Sequence, residues 1–187
     1  EMDERMTLIS GSPRPYYMMC GLDESYDVVF LVGYHCGIGD AAGNMEHTVN
    51  GYAYYNVTIN GRYMNESTLS AAYAGYYGVP VGLVIGDTGL RKQLHEDRML
   101  PHVNYVATKE AISRMAAKYY SKAKVRCETI EAVKLTLDQD ITQIPVYKIP
   151  GPYDVKIDFT YRPMADAASG LPGVRQEGRS VVMNLED

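Results

Sequence analysis

Two continuous apolar runs constrain the fold of this chain more than any other feature. They cover residues 28–32 and 79–85, and neither alternates with polar residues. A strand that is apolar on both faces is typical of a parallel sheet covered by helices on both sides. A polar segment at 88–99, which predicts a helix, and a strand at 103–108 follow the second run. This βαβ order predicts an α/β fold with a mostly parallel sheet and flanking helices.

Local signals predict further elements between the two runs. Residues 52–59 alternate in the manner of a strand, and Asn60-Gly61 after them predicts a hairpin with a type I′ turn. An Ala- and Ser-rich segment, 66–77, predicts a helix that ends at Gly78. Small residues of this kind allow a helix to lie close to a sheet.

The later part of the chain predicts a second unit. Residues 109–120 and 121–137 predict two helices, and a proline-rich stretch at 142–152 follows them. The remaining residues predict a half-exposed antiparallel strand, a short helix and a final strand. We therefore expect an α/β domain over residues 1–145 and a smaller α+β portion over 146–187.

Composition excludes several classes of protein. The chain has 187 residues and a net charge of -5, which argues against nucleic-acid binding. No apolar run approaches the roughly 18 residues of a membrane span, and no signal peptide is visible, so we expect a cytoplasmic protein without a membrane partner. The widely spaced Cys20, Cys36 and Cys127 predict no disulfide framework. His95 and His102 flank a charged helix end and are expected to face solvent.

Two of the four histidines, His35 and His47, bracket a glycine-rich segment at 33–51. His35 follows the first apolar run, and ligands collect beyond the carboxyl ends of strands in α/β sheets. Imidazole is the commonest transition-metal ligand and titrates near neutral pH. One isolated histidine here would be interpreted as a capping or core residue. Two of them, with Glu66 nearby, favour a functional site.

Several segments, taken in order along the chain, resemble the zinc-dependent D-aminopeptidases of the DppA type. Those near the histidines are GYH at 33–35, EHT at 46–48 and INGRYMNE at 59–66. Others are GSPRP at 11–15, GLDESYD at 21–27, AGYYGVPV at 74–81, KEAISR at 109–114, MAD at 164–166 and LPGV at 171–174. The ordered match is far more specific than any single motif.

The resemblance implies a site and an activity. His35 and Glu66 would bind metal, and His47 would be a catalytic histidine that acts as nucleophile or general base. The metal would be zinc, with two ions in the complete protein; zinc accepts His nitrogen and carboxylate oxygen. The reaction would be hydrolysis of short peptides with an N-terminal D-amino acid, D-alanyl peptides in particular. The resemblance also implies a homo-oligomer, a ring-shaped decamer.

Each candidate residue also has a structural interpretation. Glu66 at a helix start would complement the helix dipole without any metal. Lys109 and Asp87, at strand ends, are candidates for contacts with substrate or an oxyanion, although surface exposure and helix capping explain them equally well. Cys36 is a candidate ligand or nucleophile, or a small residue packed under the loop.

Members of this family carry an Asp-x-Glu metal-binding strand and a further histidine ligand before the point where this sequence starts. Residues 1–9 include Asp3 and Glu4 but no such pair after an apolar strand. We therefore expect a fragment or processed piece that, alone, binds zinc poorly and tends to aggregate. The competing hypothesis is a non-catalytic subunit that keeps the oligomer interface and lacks the metal.

Overall fold

The computed structural model describes residues 2–186, which form two sheets and four α-helices. The elements are β1 (Val29–Tyr34), β2 (Tyr54–Ile59), β3 (Arg62–Tyr63), α1 (Glu66–Tyr76), β4 (Val81–Asp87), α2 (Thr88–His95), β5 (Asn104–Ser113), β6 (Ala116–Tyr119), α3 (Lys122–Asp138), β7 (Tyr153–Phe159), α4 (Arg162–Ala168), β8 (Val174–Glu177) and β9 (Ser180–Leu185). Short 3-10 turns occupy Tyr17–Met19 and Ile141–Gln143. Within residues 2–186, no helix combines the length and apolar character needed to cross a bilayer.

The first sheet has the strand order β1-β4-β5-β6. Strands β1, β4 and β5 are parallel, and β6 runs antiparallel to β5. Every residue of β4 is buried, as its continuous apolar sequence predicted. Helices cover both faces of the sheet, with α1 and α2 on one side and α3 on the other. The predicted α/β class with a mostly parallel sheet is confirmed.

The second sheet is antiparallel and has the order β3-β2-β7-β9-β8. Strands β2 and β3 form the predicted hairpin, in which Asn60 and Gly61 have φ values of 53° and 71°. Positive φ at both central residues is the signature of a type I′ turn. This sheet takes strands from both sides of residue 145, and the division of the chain at that point stays a prediction.

The helix predicted over residues 109–120 is wrong. This segment is a β-hairpin in which β5 continues past the end of β4 and pairs with β6, for example through Ala111 opposite Ala117. The alanine- and methionine-containing sequence has a helical preference, but intrinsic propensity is a weak prior that tertiary pairing overrides. The hairpin therefore projects beyond the sheet at the edge where His35 lies.

Candidate metal centre

Three elements bring His35, His47 and Glu66 together. His35 is the first residue after β1, at the carboxyl end of the parallel sheet. Glu66 is the first residue of α1, where Asn65 and Thr68 form a capping box that fixes the start of the helix. His47 lies in the loop between β1 and β2, and this loop brings its side chain next to His35 and Glu66. The structure thus gathers the two histidines and the carboxylate that the resemblance singled out.

The three side chains form a compact cluster. The distance from His35 Nε2 to Glu66 Oε2 is 3.7 Å, and that from His47 Nε2 to Glu66 Oε1 is 3.5 Å. The two imidazole rings are stacked with centroids 4.2 Å apart. His47 is the most accessible of the three, with 29% of its side chain exposed against 13% for His35 and 6% for Glu66. A ligand from solvent would therefore meet His47 first.

Both imidazoles are anchored through their other ring nitrogen. The Nδ1 atom of His35 lies 2.9 Å from the carbonyl oxygen of Cys36, and that of His47 lies 2.7 Å from the carbonyl oxygen of Met45. Because a carbonyl oxygen only accepts, Nδ1 carries the hydrogen in each ring. In a neutral imidazole, Nε2 is then an acceptor, and here it faces the oxygens of Glu66. A metal ion bound between the ring nitrogens and the carboxylate would satisfy these facing atoms.

The donor atoms fit a zinc ion. Bonds of roughly 2.0–2.2 Å in a tetrahedral arrangement place neighbouring ligand atoms roughly 3.3–3.6 Å apart. The two histidine–carboxylate distances of 3.5 and 3.7 Å are close to this range, and all three donor groups lie within 4.8 Å of one another. A backbone carbonyl on the second ring nitrogen is also the usual outer partner of a metal-binding histidine.

The loop that carries His47 is held in a strained conformation. Met45 and Val49 have φ values of 58° and 62°, in the left-handed region that a β-branched residue such as valine rarely adopts. The amide of Val49 donates a hydrogen bond of 2.9 Å to Glu66 Oε1, which orients the carboxylate toward the histidines. Strain of this kind persists where the surroundings over-determine the backbone, as they do at functional sites.

The β5–β6 hairpin supports this loop from outside. The side-chain amide of Asn44 donates to the carbonyl oxygens of Ser113 and Arg114, and the amide of Met45 donates to Arg114 at 2.7 Å. The Arg114 guanidinium also forms an ion pair of 3.3 Å with Glu46. Sequence reasoning missed these residues because it predicted a helix there. The KEAISR match at 109–114 was the signal that the segment had a role.

Asp87 is placed as a buried helix cap. Its side chain is inaccessible to solvent, and its oxygens accept hydrogen bonds from the amides of Leu90 and Asn44 and from the thiol of Cys36. These contacts favour the structural interpretation. The alternative role in contacting substrate stays a prediction.

Lys109 and Cys36 lie outside the cluster of donor groups. Lys109 is half-buried in β5 beside Asp87 of β4, with its Nζ 6.0 Å from the ring centroid of Tyr119, and its role as an oxyanion contact also stays a prediction. Cys36 is fully buried in the core, where burial, followed by the charge of Asp87, raises the pKa of its thiol far above the usual range. A protonated, enclosed thiol favours packing over a ligand or nucleophile role.

His95 and His102 do not face solvent as expected; both are half-buried. His95 Nε2 lies 3.0 Å from the carbonyl oxygen of Val103. The Nε2 atom of His102 is buried and has no hydrogen-bond partner within the described residues. The helix end that they flank packs against the start of β5 instead of extending into water.

The parallel sheet, the helices on both faces and the histidine–carboxylate cluster at its edge define an α/β protein with a candidate metal centre. The chain belongs to the D-aminopeptidase family Peptidase_M55, whose family model matches residues 1–187. It is 33% identical over 166 residues to the D-aminopeptidase of Bacillus subtilis (strain 168), a match that covers 89% of this chain and 59% of that protein. The chain thus spans less than two thirds of this relative.

A solved structure agrees with the fold over the whole chain. It is described as the Zn-dependent D-aminopeptidase DppA from Bacillus subtilis, a self-compartmentalizing protease. The TM-score is 0.89 at 30% sequence identity, and the match covers 100% of this chain and 68% of the solved one. The resemblance deduced from the sequence segments is confirmed.

Proposed function

We propose that this chain carries the metal-binding and catalytic histidines of a zinc-dependent aminopeptidase that hydrolyses short peptides with an N-terminal D-amino acid. The observation that carries the proposal is the cluster of His35, His47 and Glu66, in which two anchored imidazoles present Nε2 to one carboxylate. The names of the two relatives, a D-aminopeptidase and a Zn-dependent D-aminopeptidase, support the same chemistry.

The proposed division of labour follows from burial. Glu66 and His35, the two more enclosed groups, hold the ion. Zinc, when bound, supplies an activated water and polarises the peptide carbonyl. His47 is open to the peptide, and its free Nε2 accepts a proton from the attacking water and passes it to the leaving amine. Its Nδ1 hydrogen bond to Met45 keeps the ring oriented during the transfer.

The two-ion arrangement that the family resemblance implies needs donors beyond these three. A catalytic zinc normally keeps three protein ligands and one open position. We propose that His35 and Glu66 provide part of the ligand set, and that His47 lies beside the ions without binding them. Lys109 and Asp87 are the next candidates for contacts with substrate. Lys109 is the stronger candidate, because it is half-buried whereas Asp87 is buried.

We also propose that the protein self-associates. The hairpin that supports the site exposes Ile112, Met115 and Tyr119, each more than two thirds accessible in the single chain. Exposed apolar side chains on a projecting element are typical of interfaces. The solved relative is described as self-compartmentalizing, which is consistent with a closed homo-oligomer. Light scattering of the wild type and of Ile112→Asp tests this, and equal masses at the monomer value would contradict it.

The activity test uses the gene product at the full length that its gene encodes, supplied with zinc. We expect release of D-alanine from D-Ala-D-Ala and of the N-terminal D-residue from other D-aminoacyl peptides, with little turnover of the L-isomers. His47→Ala should abolish turnover while zinc stays bound, and His35→Ala should release the zinc itself. Metal is measured by inductively coupled plasma spectrometry and turnover by amino-acid release.

His95→Ala serves as the matched control, because His95 lies outside the cluster and contacts a backbone carbonyl. It should retain both zinc and turnover. Folded protein that hydrolyses no peptide at any zinc loading would overturn the proposed function and favour the non-catalytic subunit.

A further inference from the structure

An apolar cavity of about 280 Å³ lies directly beside the candidate metal centre. One wall is the segment Tyr16–Met19, and the opposite wall is the face of α1 that carries Leu69 and Tyr73. Glu66 and Val49 also line the cavity. Because Val49 donates to Glu66 and Glu66 faces both histidines, this end of the cavity is also a wall of the metal centre.

Aromatic and thioether groups dominate the lining. The rings of Tyr16 and Tyr73 lie with centroids 5.4 Å apart, so the segment and the helix meet across the cavity. Met18 and Met19 add unbranched side chains that adapt to irregular shapes. Glu66 is the one charged residue in this lining, and it sits at the end shared with the metal centre. The outer part of the cavity therefore suits an apolar group.

The backbone of the aromatic wall is strained. Tyr16 and Tyr17 have consecutive φ values of 57° and 53°, both in the left-handed region. Residues with a Cβ rarely occupy this region and almost never do so in succession. Strained backbone clusters at ligand clamps, where the surrounding structure holds it.

The size of the cavity indicates what it accepts. A methyl group occupies about the volume of one water molecule, about 30 Å³. An alanyl side chain would leave most of the 280 Å³ empty. A side chain the size of leucine, methionine or phenylalanine would fill more of this volume and replace water on the apolar walls.

We propose that this cavity receives the side chain of the substrate's N-terminal residue and selects a large apolar D-residue over D-alanine. The inference rests on the proposed function, because it assigns the cavity to the same peptide whose first bond is cleaved at the metal centre. Val49 and Glu66 would then lie beside the Cα and Cβ atoms of the substrate's N-terminal residue.

The test separates recognition from turnover. Binding of D-phenylalanine amide and of D-alanine amide is measured by isothermal titration calorimetry. The protein is the zinc-supplied, full-length gene product that carries His47→Ala, so that the amides are not hydrolysed during the titration. Since one methylene in a pocket changes affinity by about tenfold or more, we expect D-phenylalanine amide to bind at least about tenfold more tightly. Leu69→Phe, which narrows the cavity, should remove this preference.

Leu135→Phe is the matched control, since Leu135 is an exposed leucine on another helix, α3. It should keep the preference. Equal affinity of the turnover-deficient protein for the two amides, or no binding of either, overturns the proposal without any change in the cavity. Hydrolysis of D-alanyl peptides together with equal affinities would leave the proposed function intact. A binding preference without hydrolysis of any peptide would retain the recognition cavity and overturn the proposed function alone.

Discussion

His47 and Glu66 face each other across 3.5 Å, from Nε2 to Oε1, with the ring hydrogen of His47 directed away to a backbone carbonyl. The carboxylate of Glu66 is buried and lies next to the second ring nitrogen of His47. A buried charge needs a partner. A metal ion held between these groups would supply one.

Replacing the central carboxylate tests this organisation. Glu66→Gln keeps an oxygen for the amide of Val49 and the size of the side chain, so we expect the fold to persist. The variant loses the negative charge between the two histidines. Removing an outer hydrogen-bond partner of a ligand lowers metal affinity by up to about 100-fold. Removing the charge of the ligand itself should lower zinc affinity by more than about 100-fold. Zinc competition with a chromogenic chelator measures the affinity, and circular dichroism checks the fold.

Glu46→Gln is the control for that variant, because Glu46 is a neighbouring carboxylate that pairs with Arg114 instead. It should bind zinc as the wild type does. Unchanged zinc affinity in Glu66→Gln would show that the ion is held elsewhere.

The hairpin contact should matter for catalysis more than for metal binding. Asn44→Ala removes two hydrogen bonds to the hairpin carbonyls from a buried side chain. We expect a loss of about 1–3 kcal/mol in unfolding free energy, since the carbonyls lose their donor. Turnover should fall by more than the loss of folded protein accounts for, because the loop that carries His47 becomes less ordered. The zinc content should stay unchanged. Simultaneous loss of zinc would instead tie this contact to the ligands.

Asp87 provides a test of capping against substrate contact. Asp87→Ala should lower the free energy of unfolding by about 2 kcal/mol, the upper range for loss of an N-cap. Asp87→Asn keeps the oxygen that accepts from Leu90 but loses the acceptor for the amide of Asn44, so we expect a smaller loss of stability than in Asp87→Ala. A loss of turnover in Asp87→Asn beyond what its loss of stability explains would assign the carboxylate to the substrate. Urea unfolding and peptide hydrolysis give the two readouts.

His102 predicts a dependence of stability on pH. Burial lowers the pKa of His102 from its ordinary value of 6.5, so the unfolded chain binds a proton more readily than the folded chain. Its contribution to stability is therefore complete above about pH 6.5 and is lost as the pH falls through the lowered value in the folded state. The stability difference between wild type and His102→Asn, measured by urea unfolding, should shrink from pH 7.5 to pH 5.5. A difference independent of pH would contradict this.

The sequence by itself determined the parallel part of the fold and the identity of the clustered residues. The continuous apolar runs, the Asn60-Gly61 turn and the helix that begins at Glu66 are local patterns, and each appears in the structure close to its predicted position. The ordered family segments pointed to His35, His47 and Glu66 before their distances were known. Their division into ligands and catalytic histidine stays a prediction.

Only the tertiary structure decided what depends on contacts between distant segments. The hairpin at 104–119 replaced a predicted helix because pairing between β5 and β6 overrides a weak local preference. The second sheet joins β2 to β7, and the segment Tyr16–Met19 meets α1 across the apolar cavity. Such pairings carry no periodic signal within either segment, because their stability comes from burial shared by both. The sequence therefore identifies the residues of the site, but the shape of the site depends on how the folded segments pack.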